Sequence, residues 1–357
     1  MHAPLLYLAT FTPSLYPHPL IQLDPLLRSS GFANGDANEA DGFSAFPGNI
    51  NQLIMDLDCW RETVETSTGG AIAEFINPKY TDGTRTQFKS PTRLECMMQD
   101  FVKTVPSGQR VAWTRYPQWL GYFPCKNDIV SAAKLCADGV PPHSASSAEM
   151  AVYHLHAQML RTLGATVAAP AQRTFRGVDV EVGPAVVLAP SFAPCFTLLA
   201  AKLPTPRAIS IAAGSTLLVR GDAVRIEQLT LSGALVIEVE EGGSLTIKSL
   251  TVSNAGWEFT ELSDAEAAAA DETIAIRGYQ LTKHDARVIR VKAGESILIE
   301  AGVAKRQTVT NVSLDAKRRG GSWKAQAKAP PGLQGVSSPV VIQVEPERGA
   351  CPSCTLL

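Results

Sequence analysis

The sequence predicts a mixed α/β domain followed by a parallel β-solenoid, and three observations carry that reading. From Leu23 to about Val105, apolar runs of strand length alternate with helical spacing. After Pro206 the texture changes: from Ile209 to Val252 apolar and polar residues alternate, with glycines at 214, 221, 233, 242 and 243. Within that stretch IEQLTLSGA (226–234) and IKSLTVSNA (247–255) align residue for residue, 21 apart. Short strands repeating at a period of about 20 residues are the mark of stacked coils. A β-sandwich would show hairpin turns such as Asn-Gly between its strands, and none stands here.

Taken in order, residues 1–21 read as irregular: MHAPLLYLATFTPSLYPHPL carries four prolines and lacks the basic start of a secretory signal. LDPLLRSS reads as a short helix, followed by a Gly/Asn/Asp loop from Gly31 to Gly42. FPGNINQLIMDLDCWRETVETSTGG starts as a turn and becomes a helix with Leu53, Ile54, Leu57 and Trp60 on one face. Gly69 and Gly70 are its stop signal. AIAEFINP is a short strand ending at Pro78. In SPTRLECMMQDFVKTV, Ser90 is placed to cap a helix and Pro91 to open it, with Leu94, Met97, Met98, Phe101 and Val102 at helical spacing. SSAEMAVYHLHAQMLRTLG (146–164) is a further amphipathic helix closed by Gly164. Beyond about residue 300 the chain is rich in Gly, Pro and Lys and reads as an extension.

Composition narrows the function classes. The 357 residues are 45% hydrophobic and 18% charged, enough for about two domains with a sizeable core. A net charge of −2 and a pI near 6.3 exclude a general attraction to nucleic acid or to anionic membranes. No run approaches the roughly 18 apolar residues of a spanning helix. Seven cysteines, an odd number at scattered spacings, fit reduced thiols in a cytoplasmic protein better than a disulfide framework. The terminal CPSCTLL holds one CxxC without a matching pair and reads as tail.

Two stretches carry binding chemistry. In NPKYTDGTRTQFKS, Lys79, Arg85 and Lys89 precede the expected helix at Ser90, and a helix N-terminus with its unpaired N–H groups is an anion site. Lys89 and Arg85 would add two cations to one phosphate there; an ordinary solvated basic loop has the same look. In FPGNINQLI the Pro-Gly turn lets the backbone at Gly48 approach a ligand, while Asn49 and Asn51 offer paired donors and acceptors. Turn and cap chemistry is the plainer reading of those asparagines. No nucleophile motif appears, neither GxSxG nor HExxH, and no Walker A loop or GxGxxG opens a helix. His154 and His156 lie two apart, on different faces of a helix, and His143-Ser144 reads as the start of a cap.

The runs QLDPLLRSSG, GFSAFPGNINQLI, TGGAIAEFINPKY, FKSPTRLECMMQD, HSASSAEMA and, later, GW…IRGY at 256–279 resemble the UDP-sugar pyrophosphorylases, or UTP–monosaccharide-1-phosphate uridylyltransferases. They cover about residues 22–280, and FPGNINQL with PTRLECMMQD is specific to that family. The resemblance implies the C-terminal part of a Rossmann-like nucleotidyltransferase domain (22–204) and a left-handed parallel β-helix (205–298), while residues 299–357 read from their composition as a disordered extension. It implies a reaction of sugar 1-phosphate with UTP, giving UDP-sugar and pyrophosphate with Mg2+. Carried over by position, Lys89 falls at the family's phosphate-contacting lysine. Asn51 and Asn49 fall at the turn facing the sugar phosphate, and Phe75 and Asn77 on the strand lining the sugar. Arg93 and Glu95 are expected to be structural.

The resemblance has departures. The family's glycine-rich nucleotide loop, uracil-recognising segment and metal-binding aspartate lie upstream of the QLDPLL run and have no counterpart here. PHPLI stands where an acidic strand is expected, and RYPQWLGYFPCKND is less apolar than the family pattern. A chain matched from mid-domain is expected to leave strand edges and an apolar face exposed. It is expected to be inactive by itself, or to serve as a non-catalytic assembly module built on its β-helix.

Overall fold

A computed structural model of the chain describes residues 5–11, 27–35, 37, 48–66, 69–76, 78, 80–82, 86–92, 94–107, 109–116 and 118–308. The chain divides into two compact units. One joins Met1–Ala157 with Ala169–Gly183 and Glu258–Thr282; the other joins Gln158–Ala168 with Pro184–Trp257 and Lys283–Leu357.

In the first unit, β1 (Leu5–Phe11) lies between β2 (Gly48–Ile54) and β5 (Arg110–Tyr116) in a three-stranded sheet. It runs antiparallel to β2 and parallel to β5. The irregular start expected from the prolines is thus corrected: LLYLATF is an unbroken run between Pro4 and Pro13, of the length and composition of a strand. The second correction follows from the first. Residues 48–54 are a strand rather than a turn entering a helix, and the helix starts only at Leu57. Asp56 sets that start, its Oδ1 accepting from Cys59 N at 3.0 Å. The helix Leu57–Thr66 buries Cys59 and Thr63 and turns Leu57 and Trp60 outward, the reverse of the expected face.

β3 (Glu74–Ile76) pairs antiparallel with β4 (Leu94–Cys96). This is the third correction: no helix begins at Ser90. Cross-strand pairing takes Leu94–Cys96, and only Met98–Lys103 coils, as a 3-10 turn that buries Phe101 and leaves Met98 exposed. The helix Ile129–Ala137 is capped by Asp128, and Ala145–Leu163 is a 19-residue helix. Ser144 Oγ accepts from Ser147 N at 3.3 Å at its start, and Gly164, with φ of 106°, stops it as expected. Of LDPLLRSS, Leu27–Ser29 form a single helical turn.

The chain then enters the second unit through β6 (Thr166–Val167), makes a hairpin of β7 (Ala171–Phe175) and β8 (Val178–Val182), and returns as β9 (Ala185–Leu188). After the helix Phe196–Lys202 come β10 (Ile209–Ile211), β11 (Thr216–Arg220) and β12 (Val224–Ile226). Next are β13 (Leu229–Ser232), β14 (Ala234–Val239), β15 (Ser244–Ile247) and β16 (Leu250–Ser253). An excursion follows: β17 (Trp257–Glu261), helices Asp264–Ala269 and Glu272–Ala275, and β18 (Tyr279–Lys283). β19 (Arg287–Val291), β20 (Glu295–Glu300) and β21 (Val303–Thr308) complete the described chain. β21 lies in the stretch read as an extension; residues 309–357, with Asn311 and CPSCTLL, lie outside the described residues.

These strands build three sheets, ordered β16-β13-β10-β6, β19-β14-β11-β9 and β12-β15-β20-β21. All their pairings are parallel except β20–β21. From β10 to β20, the excursion apart, successive strands visit the three sheets in turn, and each such circuit adds one strand to each; between β9 and β10 the chain adds none to the third sheet and forms the helix Phe196–Lys202 instead. The internal repeat is the register itself: Ile226 stands beside Ile247, and Leu229 beside Leu250, each 21 positions later. The inward rows, among them Ile226, Leu231, Ile237, Ile247 and Val252, are buried. Each such side chain contributes about 1.5–3 kcal/mol. Surface pairs such as Arg225–Glu227 and Arg290–Glu238 contribute about 0–1 kcal/mol each, so the aliphatic ladder holds the coil.

The register jumps where the chain makes its excursion: Leu235 pairs with Arg287 and Ser244 with Ser296, both 52 positions on. Asn254 closes the gap at the point of departure. Its Oδ1 accepts from Ala234 N at 2.7 Å and Gly256 N at 3.0 Å, and its Nδ2 donates to Ala234 O at 2.9 Å. An amide side chain thereby takes the place of the missing strand backbone. Gly233, with φ of 109°, lies directly beneath, and a Cβ there would sit 2.1 Å from Asn254 Oδ1. Gly233→Ala is therefore expected to lower the unfolding free energy by about 2–4 kcal/mol through strain and loss of the amide clamp. Chemical denaturation of the full chain measures this.

Candidate functional site

The structure places the residues singled out from the sequence on two small elements of the first unit. Gly48 and Asn49 open β2 opposite Phe11 and Thr10, and then the register slips. Ala9 pairs with Gln52, so Ile50 and Asn51 stand opposite no residue of β1. Asn51 thus sits in a bulge, a device that bends a strand and recurs beside active sites. Phe75 is half-buried in the centre of β3, directly opposite Glu95 of β4. Asn77, Arg85 and Arg93 lie outside the described residues.

Lys89 is exposed and follows a closed loop. Tyr80 and Phe88 form a bridge and their rings stack at 5.4 Å between centroids, while Thr81 N donates to Gln87 O at 3.0 Å. The helix dipole expected behind Lys89 is absent, because Ser90 and Pro91 lead into β4 and not into a helix. What remains is an exposed lysine directly after a stacked aromatic loop.

A second constellation, which sequence reasoning did not single out, lies around the helix Ala145–Leu163. Arg277 Nη1 donates to both carboxylate oxygens of Glu149, at 3.3 and 3.1 Å. Tyr153 Oη donates to Glu149 Oε1 at 2.5 Å. Beneath them Tyr279 is fully buried, its ring 4.8 Å from Phe175 and 5.2 Å from Phe259, with the Arg277 guanidinium 5.4 Å above it. Burial first, and then Glu149, push both tyrosine hydroxyls well above their ordinary range. They remain protonated donors throughout the physiological range. For Arg277, burial opposes the charge, but the hydrogen bond and charge of Glu149 outweigh it and the guanidinium titrates higher than usual. Tyr279 Oη is buried and lies close to the Glu149 carboxylate, without a well-formed hydrogen bond to it. The sequence carries a signal for this pair: HSASSAEMA and IRGY both belong to the runs that carry the resemblance, and Glu149 and Arg277 within them lie 128 residues apart.

Arg176 binds the same excursion from the β7–β8 turn. Its N donates to Glu261 Oε1 at 2.6 Å, and its guanidinium to Leu262 O and Asp264 Oδ1 at 3.3 and 2.7 Å. This cluster is closed and internally paired, so its chemistry is that of a clamp. The bulged β2 and the Lys89 loop are the open elements. Among the described residues no three His, Cys, Asp or Glu side chains gather to hold a metal ion.

The clamp has a measurable asymmetry. Arg277→Ala strands a largely buried carboxylate and is expected to cost about 2–4 kcal/mol. Tyr279→Phe removes a hydroxyl that approaches Glu149 without a well-formed hydrogen bond and is expected to cost less than about 1 kcal/mol. Urea unfolding of both variants reads the difference.

No family model matches the chain. It is 41% identical over 262 residues to the UDP-sugar pyrophosphorylase of Oryza sativa subsp. indica. It is 42% identical over 262 residues to the UDP-sugar pyrophosphorylase of Arabidopsis thaliana. In each case the match takes in 73% of this chain and 42% of the relative, so the chain spans about two fifths of the length of the curated relatives it matches. Identity at this level over so long a stretch, together with the quoted runs, places the chain in the UDP-sugar pyrophosphorylase family.

Proposed function

We propose that the chain contributes the sugar-phosphate side of a uridylyltransferase. The reaction is that of a sugar 1-phosphate with UTP to give UDP-sugar and pyrophosphate. The observation that carries this reading is the 41–42% identity over 262 residues to relatives named for it. Further support comes from the bulge at Ile50–Asn51. In this reading a phosphate oxygen of the sugar 1-phosphate attacks the α-phosphorus of UTP in line. The α–β phosphoanhydride bond breaks and pyrophosphate leaves. No protein nucleophile is needed; catalysis is positioning together with neutralisation of charge.

Lys89 would pair with the phosphate, and Arg85 would add a second cation. Asn49 and Asn51 would hydrogen-bond the sugar phosphate where Gly48 lets the backbone come close, and Phe75 and Asn77 would line the sugar. Among the described residues no three His, Cys, Asp or Glu side chains gather, and no step is assigned to Mg2+ on this chain. We take the ion to travel with the phosphates of UTP, as hard hydrated cations do. Residues 22–204, apart from the coil strands β6 and β9, would form part of a Rossmann-like catalytic domain, and the three-sheet coil, which extends beyond 205–298 at both ends, would be a left-handed β-helix. A cytoplasmic setting accords with this substrate class; among the described residues no helix is long and apolar enough to cross a membrane.

Calorimetry with glucose 1-phosphate tests the reading on the chain itself. Saturable binding is expected, weakened about tenfold or more, or about 1.4 kcal/mol, in Lys89→Ala. Binding that is absent, or unchanged in that variant, would remove the proposed role of this lysine. A parallel assay of UDP-glucose formation from UTP and Mg2+ reports whether the chain turns over alone.

A further inference from the structure

We infer that Glu95 is the residue through which this chain reads the hydroxyls of the sugar, its carboxylate accepting from a neighbouring hydroxyl pair beside the ring of Phe75. In the β3–β4 ribbon Glu74 stands opposite Cys96, Phe75 opposite Glu95 and Ile76 opposite Leu94. Residues directly opposite in an antiparallel pair share a face, and the face changes at each step along a strand. Glu74, Ile76, Leu94 and Cys96 therefore share one side. Phe75 and Glu95 stand together on the other, with Cβ atoms about 5 Å apart. Phe75 is half-buried and Glu95 is exposed. The structural role expected for Glu95 needs a partner, and among the described residues no hydrogen bond or ion pair holds its carboxylate.

An opposite charge facing Glu95 across the strands would stabilise the ribbon; an aromatic ring gives the carboxylate nothing. Its two oxygens only accept hydrogen bonds, and a strand aims them more firmly than a loop would. A ring beside such a carboxylate suits a pyranose: the apolar C–H face of the sugar packs on the ring while adjacent hydroxyls donate to the two oxygens. Neither a bare phosphate nor an apolar ligand fits, since the first is repelled and the second leaves the charge unpaired. The register also shortens the way to Lys89. Ile76 and Tyr80 are four residues apart, whereas Leu94 and Phe88, which face them, are six apart. The side carrying Lys89 thus covers in six residues the length that its partner covers in four, and Lys89 is drawn toward Glu95. One ligand with an anionic end and a hydroxylated ring spans the two. The inference rests on the proposed function, in which Lys89 takes the phosphate and Phe75 lines the sugar, and deepens it by naming the specificity contact.

Calorimetry on the full chain compares glucose 1-phosphate with inorganic phosphate, which shares the anion and lacks the hydroxyls. Glu95→Gln keeps the shape of an exposed side chain and removes its charge. It is expected to weaken glucose 1-phosphate about tenfold or more and to leave inorganic phosphate unchanged, with the circular dichroism of the unaltered chain. Glu95→Asp keeps the charge, draws it back by one carbon and is expected to fall between. Lys89→Ala is expected to weaken both ligands. A merely structural Glu95 would weaken both ligands together in Glu95→Gln, and that result overturns the inference. Tighter phosphate binding in that variant does so too, because the carboxylate then lies at the anionic end. Glucose 1-phosphate binding that falls in Lys89→Ala but is indifferent to Glu95→Gln removes this inference alone and leaves the proposed function standing. No binding of glucose 1-phosphate to the unaltered chain removes the proposed function, and the role of Glu95 with it.

Discussion

The pair between Arg277 and Glu149, lying over the buried ring of Tyr279, is the contact on which the first unit depends. It joins three pieces of chain that are distant in sequence. The helix Ala145–Leu163 supplies Glu149 and Tyr153, the β7–β8 hairpin supplies Phe175, and the excursion supplies Phe259, Arg277 and Tyr279. The electrostatics only make sense together. A carboxylate drawn largely out of water is tolerable because an arginine and a tyrosine hydroxyl both point at it, and the aromatic floor excludes competing water. Removing one partner leaves the other uncompensated, which is why such clusters resist piecemeal change.

Two excursions leave the three-sheet coil, one between β6 and β9 and one between β16 and β19. In each case the chain leaves from the first sheet and re-enters in the second. At the later departure Lys283 Nζ lies over the Trp257 ring at 4.6 Å, and His284 N and Asp285 N both donate to Gly256 O at 3.1 Å. The neck of the excursion is thus closed, and the regular ladder resumes in β19 and β20 with the same inward pattern of Ile289, Val291, Ile297 and Ile299.

What could be read from the sequence divides along the same line. The 21-residue repeat, the cap at Ser144 and the stop at Gly164 are local or periodic signals, and all correspond to structure. The failures arise where a distant partner decides. Leu5–Phe11 hid among prolines and becomes a strand because β2 and β5 flank it. Gly48–Ile54 has helical spacing and pairs instead with β1. The Ser90-Pro91 start signal yields to the pairing of Leu94–Cys96 with Glu74–Ile76. The candidate site was legible as a set of residue types, in Asn49, Asn51 and Lys89, and not as geometry: the bulge exists only in register with β1. Glu149 and Arg277 were illegible as a pair because no periodicity connects residues 128 apart.

That separation also sets a timetable. At about 5–20 residues per second of synthesis, Glu149 leaves the ribosome roughly 6–26 s before Arg277. Through that interval the helix bearing Glu149 and the hairpin bearing Phe175 have been made, but the ring and guanidinium that complete their core have not. The intervening chain is the coil itself, whose neighbouring circuits pair at offsets near 20 residues and so close soon after they emerge. The inner circuits of the coil can therefore close before the first unit receives the guanidinium and rings of its excursion, while β19–β21 follow only after Arg277. Through that interval Glu149 has Tyr153 of its own helix as partner and still lacks its arginine.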